Sequence, residues 1–396
     1  VTPPATRTVE DEIVRLVTEL VRIPSVNPGL DPTGTGEAAI AAAVEAWATS
    51  RGLHVEVVGA DPARPSVLVS SRPEADDGPT LLLCGHLDTV GTDGREVAVR
   101  RDGDRFHGRG AYDMKAGLVA ALFACAAAAD RNLPVRVLVA AVADEEHASL
   151  GMQEVLAHLD PATIDAAIVT EPTELVVAIA HKGFVWHRIE VAGVAAHGSR
   201  PHLGHDAIMD LGPILTGLAA LDDDLSTRPH DLLGPGSLHA STVTGGRDWA
   251  TIPDHATLDV ERRLLPGESA ATAAADLARV LERARLDRPD MAATATTELV
   301  RDPLHTAADH PFVATVRAAA EGVLGTVVEP GGVSYWADSA LLSAAGIPTV
   351  LFGPDGDGAH AEVEWVSIAG TVATRDVLVA VAERLGDDRG RRRPPP

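Results

Sequence analysis

Apolar positions along the chain fall into two textures. In residues 9–23, Ile13, Leu16, Val17 and Leu20 share one face, the 3.6-residue period of an amphipathic helix, and Pro24 ends it. Residues 37–50 predict a second helix, stopped by Gly52. Short β-like runs follow at 55–58, 66–70 and 80–84. Residues 116–129 are apolar and alanine-rich. That run is too short to span a bilayer and predicts a buried helix. Residues 135–142 and 166–169 are continuous apolar runs of strand length, the pattern of parallel strands covered on both faces. Strands alternating with helices predict an α/β domain with a mostly parallel central sheet.

The texture changes near Val176. A strand (182–191), a helix (206–221), two strands (238–243 and 256–263), a helix (270–285) and a strand (292–299) follow one another. This βαββαβ order is ferredoxin-like and reads as a small domain inserted in the chain. The α/β pattern then resumes with helices at 312–324 and 339–345, a buried strand at 347–352 and a closing helix at 366–385. The expected organisation is residues 1–178 and 299–386 as one discontinuous domain, 179–298 as the insert, and 387–396 as a disordered basic, proline-rich tail.

Composition narrows the function classes. The chain has 396 residues, 33 Lys+Arg against 57 Asp+Glu, and a net charge of −24. Nucleic acid and anionic membranes need a basic face, so neither is an expected partner. The first ten residues lack the pattern of a signal peptide. Two cysteines, Cys84 and Cys125, make no disulfide framework and fit a reducing compartment. The expected location is the cytoplasm. Lys115 and Lys182 are the only lysines; Lys115 ends a segment described next, and Lys182 lies in His181-Lys182-Gly183-Phe184.

The chemistry is carried by residues placed just after the apolar strands. Residues 81–84 lead into Gly85-His86-Leu87-Asp88, residues 135–142 into Asp144-Glu145-Glu146, residues 166–169 into Thr170-Glu171-Pro172, and residues 349–352 through a glycine-rich turn to Ala359-His360. Ligands of open α/β sheets bind beyond the carboxyl ends of the strands. A further segment, from Gly108 to Lys115, places Asp113 just before a helix. Each piece alone is an ordinary turn or solvated loop. Together, two histidines and several carboxylates match the N/O ligand set of zinc or a similar divalent ion. Two divalent cations are balanced by Asp113, Glu146, Glu171 and one hydroxide, and paired metals suit hydrolysis. Glu145 is then left beside a ligand as a general base. Asp88, two residues after His86, is expected to hold the imidazole.

These motifs resemble the M20 metallopeptidases, the clan of acetylornithine deacetylase, succinyl-diaminopimelate desuccinylase, aminoacylase and glutamate carboxypeptidase. The resemblance spans roughly residues 8–385 and includes Gly358-Ala359-His360 with Glu364 downstream. It implies His86 and Glu171 on one metal, Glu146 and His360 on the other, Asp113 bridging, and Glu145 as acid/base. It implies two metal ions, zinc first and cobalt or manganese as alternatives. The insert corresponds to a lid and homodimerisation domain. Its Ala195-Ala196-His197-Gly198-Ser199-Arg200-Pro201 segment is similar to a motif whose histidine reaches the partner subunit's site and holds the reacting carbonyl oxygen. Arg263, with Arg262 beside it, resembles the arginine that binds the substrate carboxylate. Relatives commonly differ at Ala250, at Ala337 and in the turn Gly353-Pro354-Asp355-Gly356, positions that surround the substrate.

The resulting expectation is a dinuclear hydrolase acting on a small-molecule N-acyl amino acid or short peptide. N-acyl-amino-acid deacylation comes first, as in acetylornithine deacetylase. A metallocarboxypeptidase or dipeptidase is the alternative enzyme. A non-catalytic relative that binds an amino-acid derivative is the alternative of another class, and the general base Glu145 argues against it.

Overall fold

The computed structural model describes residues 8–392, apart from 74–77, 93, 95 and 96, with side chains described through residue 387. The chain forms two compact units. One runs through Ile179 and includes Thr306–Gly331 and the chain from Ala337 on. The other comprises Ala180–His305 and Gly332–Trp336.

The larger unit is built on a sheet in the spatial order His54–Val58, Ser66–Ser70, Arg136–Val142, Thr80–His86, Ala166–Val169, Thr349–Leu351, Val177–His181. The middle four strands are mutually parallel, and the flanking strands join antiparallel. The parallel four are the strands whose apolar runs are continuous, because neighbours cover both of their faces. Their register aligns the carboxyl ends: His86 pairs with Val142, Cys84 with Val169, and Leu351 with Val169. The segments that follow therefore leave the sheet at one edge.

The helix Ala116–Asp130 is buried along its whole length from Ala116 to Ala128. Its small side chains let it lie close to the sheet. At Gly117 the approach is closest, since a Cβ there would stand 1.9 Å from the Thr170 carbonyl oxygen. Together with the preceding turn, Ala111–Asp130 is long and apolar enough to cross a membrane, but it is 94% buried within the protein, as a core helix is. The helix Val9–Arg22 starts at a reciprocal capping box between Thr8 and Asp11 and buries Ile13, Leu16, Val17, Leu20 and Val21.

The smaller unit is a four-stranded antiparallel sheet in the order Ser237–Gly245, His255–Leu264, Gly183–Ala192, Ala292–Arg301, with the helices Ala207–Ser226 and Ala270–Asp287 capped by Asp206 and Ser269. Its core packs Ile189, Val191, Leu258 and Val260 against Leu211, Ile214, Leu277 and Leu281. This is the ferredoxin-like arrangement, with the last strand beside the first.

Some boundaries differ from those read in the sequence. Val177–His181 belongs to the large sheet, so the insert's first strand begins at Gly183. Residues 299–305 and Gly332–Trp336 group with the smaller unit, partly because the strand Ala292–Arg301 runs on beyond Leu299. The closing helix extends over Ile368–Arg392, through most of the segment expected to be a disordered tail, and residues 393–396 lie outside the described residues. The helix Leu150–His158 and the small sheet of Arg100–Asp102, Arg105–His107, Gly356–Asp357 and Trp365–Ser367 carry no periodic signal in the sequence. Strands of two or three residues are held by pairing with distant partners, such as Trp365 with His107.

Candidate metal centre

The aligned strand ends deliver a compact cluster in the larger unit. His86 is the last residue of its strand. Glu145 and Glu146 follow Arg136–Val142 across Asp144, whose φ is +65°. Glu171 follows Ala166–Val169. Asp113 lies in the turn Ala111–Lys115, entered through Gly110 at φ +75°. His360 follows Gly358, where φ is +87° and a Cβ would stand 1.9 Å from the Val363 carbonyl oxygen.

Asp113 sits between the two histidines. Its Oδ1 is 3.1 Å from His86 Nε2 and its Oδ2 is 3.2 Å from His360 Nε2. His86 Nε2 is also 3.8 Å from Glu171 Oε1, and His360 Nε2 is 2.9 Å from Glu146 Oε2. Two overlapping groups, His86–Asp113–Glu146 and His86–Glu145–Glu171, each keep their ligand-capable atoms within 4.8 Å of one another. Ligand bonds of about 2.0–2.2 Å in tetrahedral geometry set ligand atoms about 3.3–3.6 Å apart, so these spacings suit shared cations. An open cavity of about 300 Å³, lined in part by Arg100, His107, Arg109 and Glu364, adjoins His360.

Asp88 holds this cluster differently from the expectation. His86 Nδ1 donates to the Asp88 main-chain oxygen at 2.9 Å, while the nearer carboxylate oxygen is 3.6 Å away. The ring is therefore oriented by a carbonyl, which leaves Nε2 as the ligand atom when the imidazole is neutral. The Asp88 carboxylate instead accepts the backbone N–H groups of Glu145 and Glu146, both at 3.1 Å, and the Asn27 amide at 2.6 Å. It thus orients the tandem glutamates as well.

Behind Asp88 lies a network that local sequence reasoning missed. Asn27 also donates to Asp144 at 3.1 Å. Arg64 pairs with Asp144 at 2.8 Å and forks onto Glu37 at 2.6 and 2.9 Å. Asn27, Glu37 and Asp144 are fully buried. No motif marks Asn27, Glu37 or Arg64. The one available signal is chemical: buried carboxylates at a strand end require donors from somewhere. Lys115 is buried too, donating to the carbonyls of Leu20 and Ile23 at 3.0 and 3.1 Å. Burial pushes its amine down to about 7.

The electrostatics mark the cluster as a buried meeting point of carboxylates and histidines. Burial, reinforced by neighbouring carboxylates, pushes the acids of Glu145, Glu146 and Glu171 up. Burial would lower His86, but its bond to Asp113 and the surrounding carboxylates raise it well above the usual range. His360 is pulled up to about 10 by Asp113 and Glu146. Converging carboxylates thus draw positive charge onto the histidines. Divalent cations would supply that charge directly, and the N/O donor set fits them.

In the smaller unit, His197 is exposed in the short strand Ala196–His197, paired with Thr251–Ile252. The Ser199 backbone N–H donates to its Nδ1 at 3.2 Å. Because an amide N–H only donates, Nε2 carries the proton of the neutral ring and is left as an outward donor. Arg262 is buried and paired with Asp276 and Glu268. Arg263, on the opposite face of the strand, lies over Phe184 at 5.4 Å and donates to the Ser334 carbonyl at 2.9 Å. Lys182 donates to the Pro235 carbonyl at 2.6 Å.

Comparison with known proteins adds the context. Residues 82–384 match the peptidase family M20/M25/M40. The chain is 30% identical over 372 residues to a putative succinyl-diaminopimelate desuccinylase of Mycobacterium tuberculosis, covering 92% of this chain and 96% of that one. It is 31% identical over 379 residues to an acetylornithine deacetylase of Vibrio vulnificus, covering 90% and 93%. Among solved structures, an M20 family metallo-carboxypeptidase of Sulfolobus solfataricus superimposes with a TM-score of 0.77 at 19% identity over 95% of this chain and all of that one. A dinuclear metal-binding M20 peptidase of Bacillus subtilis does so with a TM-score of 0.73 at 16% identity, over 96% and 98%.

Proposed function

Because this chain belongs to peptidase family M20/M25/M40, a family of metal-dependent amide hydrolases, we propose that it deacylates N-acyl amino acids at a dinuclear centre, with zinc the first metal to test. The observation that carries the dinuclear part is the Asp113 carboxylate, with one oxygen turned to His86 and the other to His360, an arrangement in which it would serve both ions. His86 and Glu171 would hold one ion, Glu146 and His360 the other. The bound ions supply Lewis acidity, which polarises a carbonyl and acidifies water.

The chain's own residues do the rest. Glu145 accepts the proton of the attacking water and returns it to the nitrogen of the leaving amine as the C–N bond breaks, so the base is regenerated. Burial makes its carboxylate hold a proton more readily than an exposed glutamate does, which suits a group that must take a proton before giving it up. Asp88 aligns this glutamate through its backbone N–H. His197 donates through Nε2 to the substrate carbonyl oxygen as negative charge develops there. Arg263 takes the substrate carboxylate, since Arg262 is committed to Asp276 and Glu268.

The larger unit is read as the catalytic domain and the smaller as the lid through which two copies pair. Support for pairing comes from the strand Ser237–Gly245. It is the outermost in its sheet and exposed from His239 on, and Val243, Met209 and Leu215 are exposed at its edge and on the helix beside it. Deacylation is preferred to peptide cleavage because the relatives at 30% identity or better are named a desuccinylase and a deacetylase. A hydrolysis screen over N-acetyl-, N-succinyl- and peptidyl-amino acids, with zinc or cobalt added, tests the choice. Turnover of the acyl derivatives is expected, and turnover of peptides alone would replace this reading with the peptidase one.

A further inference from the structure

The sequence places Glu364 four residues beyond His360 without giving it a task. In the structure its side chain is 2% exposed and every contact points at the Asp113 turn. Oε1 accepts the backbone N–H of Tyr112 at 2.9 Å and of Asp113 at 3.1 Å. Oε2 accepts the N–H of Gly110 at 3.0 Å and the Arg109 guanidinium Nη1 at 2.7 Å. The other guanidinium nitrogen, Nη2, donates to the Ala361 carbonyl at 2.7 Å, next to His360. The main chain of Glu364 accepts the Gly108 N–H at 3.3 Å. The strand Trp365–Ser367 fixes this position by pairing with Arg105–His107.

We propose that Glu364, with Arg109, is the positioning pair for the metal centre: it locks the turn carrying Asp113 to the loop carrying His360. The inference rests on the dinuclear reading above. Neither residue touches the reacting atoms. One carboxylate accepts three N–H donors of this partly buried turn, which holds the turn and with it the direction of the Asp113 side chain. The arginine carries the same constraint across to Ala361. Outer-shell partners of this kind typically change metal affinity about 10–100-fold when removed. Glu364→Gln is the informative change. It keeps size, but its amide nitrogen must face N–H donors on one side, because both carboxylate oxygens are in use.

The experiment is a chelator-competition titration of zinc into metal-free wild type, Glu364→Gln and Arg109→Gln. It is paired with thermal unfolding of the metal-free proteins and with the visible spectra of their cobalt forms. The expected result is two ions in the wild type, with affinity weakened about 10–100-fold in Glu364→Gln and an altered cobalt spectrum. Arg109→Gln should fall at the weaker end of that range, and it carries the test if Glu364→Gln does not fold. Wild-type metal affinity in the variants, with or without a lower unfolding temperature, would overturn the inference and leave the dinuclear reading standing. A wild type that takes up no metal would overturn both.

Discussion

Glu145 is the residue to which the proposed mechanism gives the proton transfers. Gln in its place has nearly the same shape, leaves the cluster of His86, Asp113, Glu146, Glu171 and His360 intact, and cannot take a proton. General acid–base catalysis contributes about 10²–10⁴-fold. Glu145→Gln should therefore retain metal by elemental analysis while losing turnover on that scale, and a loss under about tenfold would remove Glu145 from the role. His86, Glu146 and Glu171 were legible in the sequence because each stands at or a short step beyond the end of an apolar strand, while Asp113 was marked by the glycines before its helix and His360 by the glycine-rich turn after 349–352. Asp88 was legible as a neighbour of His86, but its division of labour was not. Whether a carbonyl or a carboxylate meets the ring depends on backbone direction, which spacing does not encode.

At the scale of elements, the site depends on parts brought together from far along the chain. Arg64 is the cation shared by Glu37 and Asp144, both buried. Removing one partner from such a buried network leaves uncompensated charge and costs about 3–5 kcal/mol. Arg64→Met should lower stability by that order in denaturant unfolding, and a change under about 1 kcal/mol would show the network to be slack. Close approach sets a second constraint. A Cβ at Gly117 meets a backbone oxygen at 1.9 Å, and backbone cannot swing aside as a side chain can. Gly117→Ala should displace the long helix from the Thr170–Glu171 strand end, costing about 1–3 kcal/mol. The strong elements were legible from periodicity and continuous apolar runs. The three-residue strands Arg105–His107 and Trp365–Ser367 were not, because they are held to each other across more than two hundred residues.

For the whole molecule, the βαββαβ insert was readable from its alternation of elements, and its C-terminal edge lies at His305 rather than 298 because the strand Ala292–Arg301 runs on past Leu299. Its outer strand bears on assembly. An open edge flanked by exposed Val243, Met209 and Leu215 is a surface that natural proteins either protect or pair, and two-fold pairing is the commonest outcome. Sedimentation should show a dimer at micromolar concentration, and Val243→Lys should shift it to monomer. A wild-type monomer would refute pairing. If His197 acts across the interface, mixing inactive His197→Ala with inactive Glu145→Gln should restore activity approaching half of wild type within the heterodimers. No recovery under verified subunit exchange would confine His197 to its own chain or to a structural role.

Two divalent ions held by His86, Asp113, Glu146, Glu171 and His360 are proposed to make this chain an amide hydrolase. The most direct test titrates zinc into exhaustively depleted protein while following release of free amine from an N-acyl amino acid. No turnover is expected without metal, and activity should rise to its plateau at two equivalents per chain. Full activity in protein verified as metal-free would contradict it.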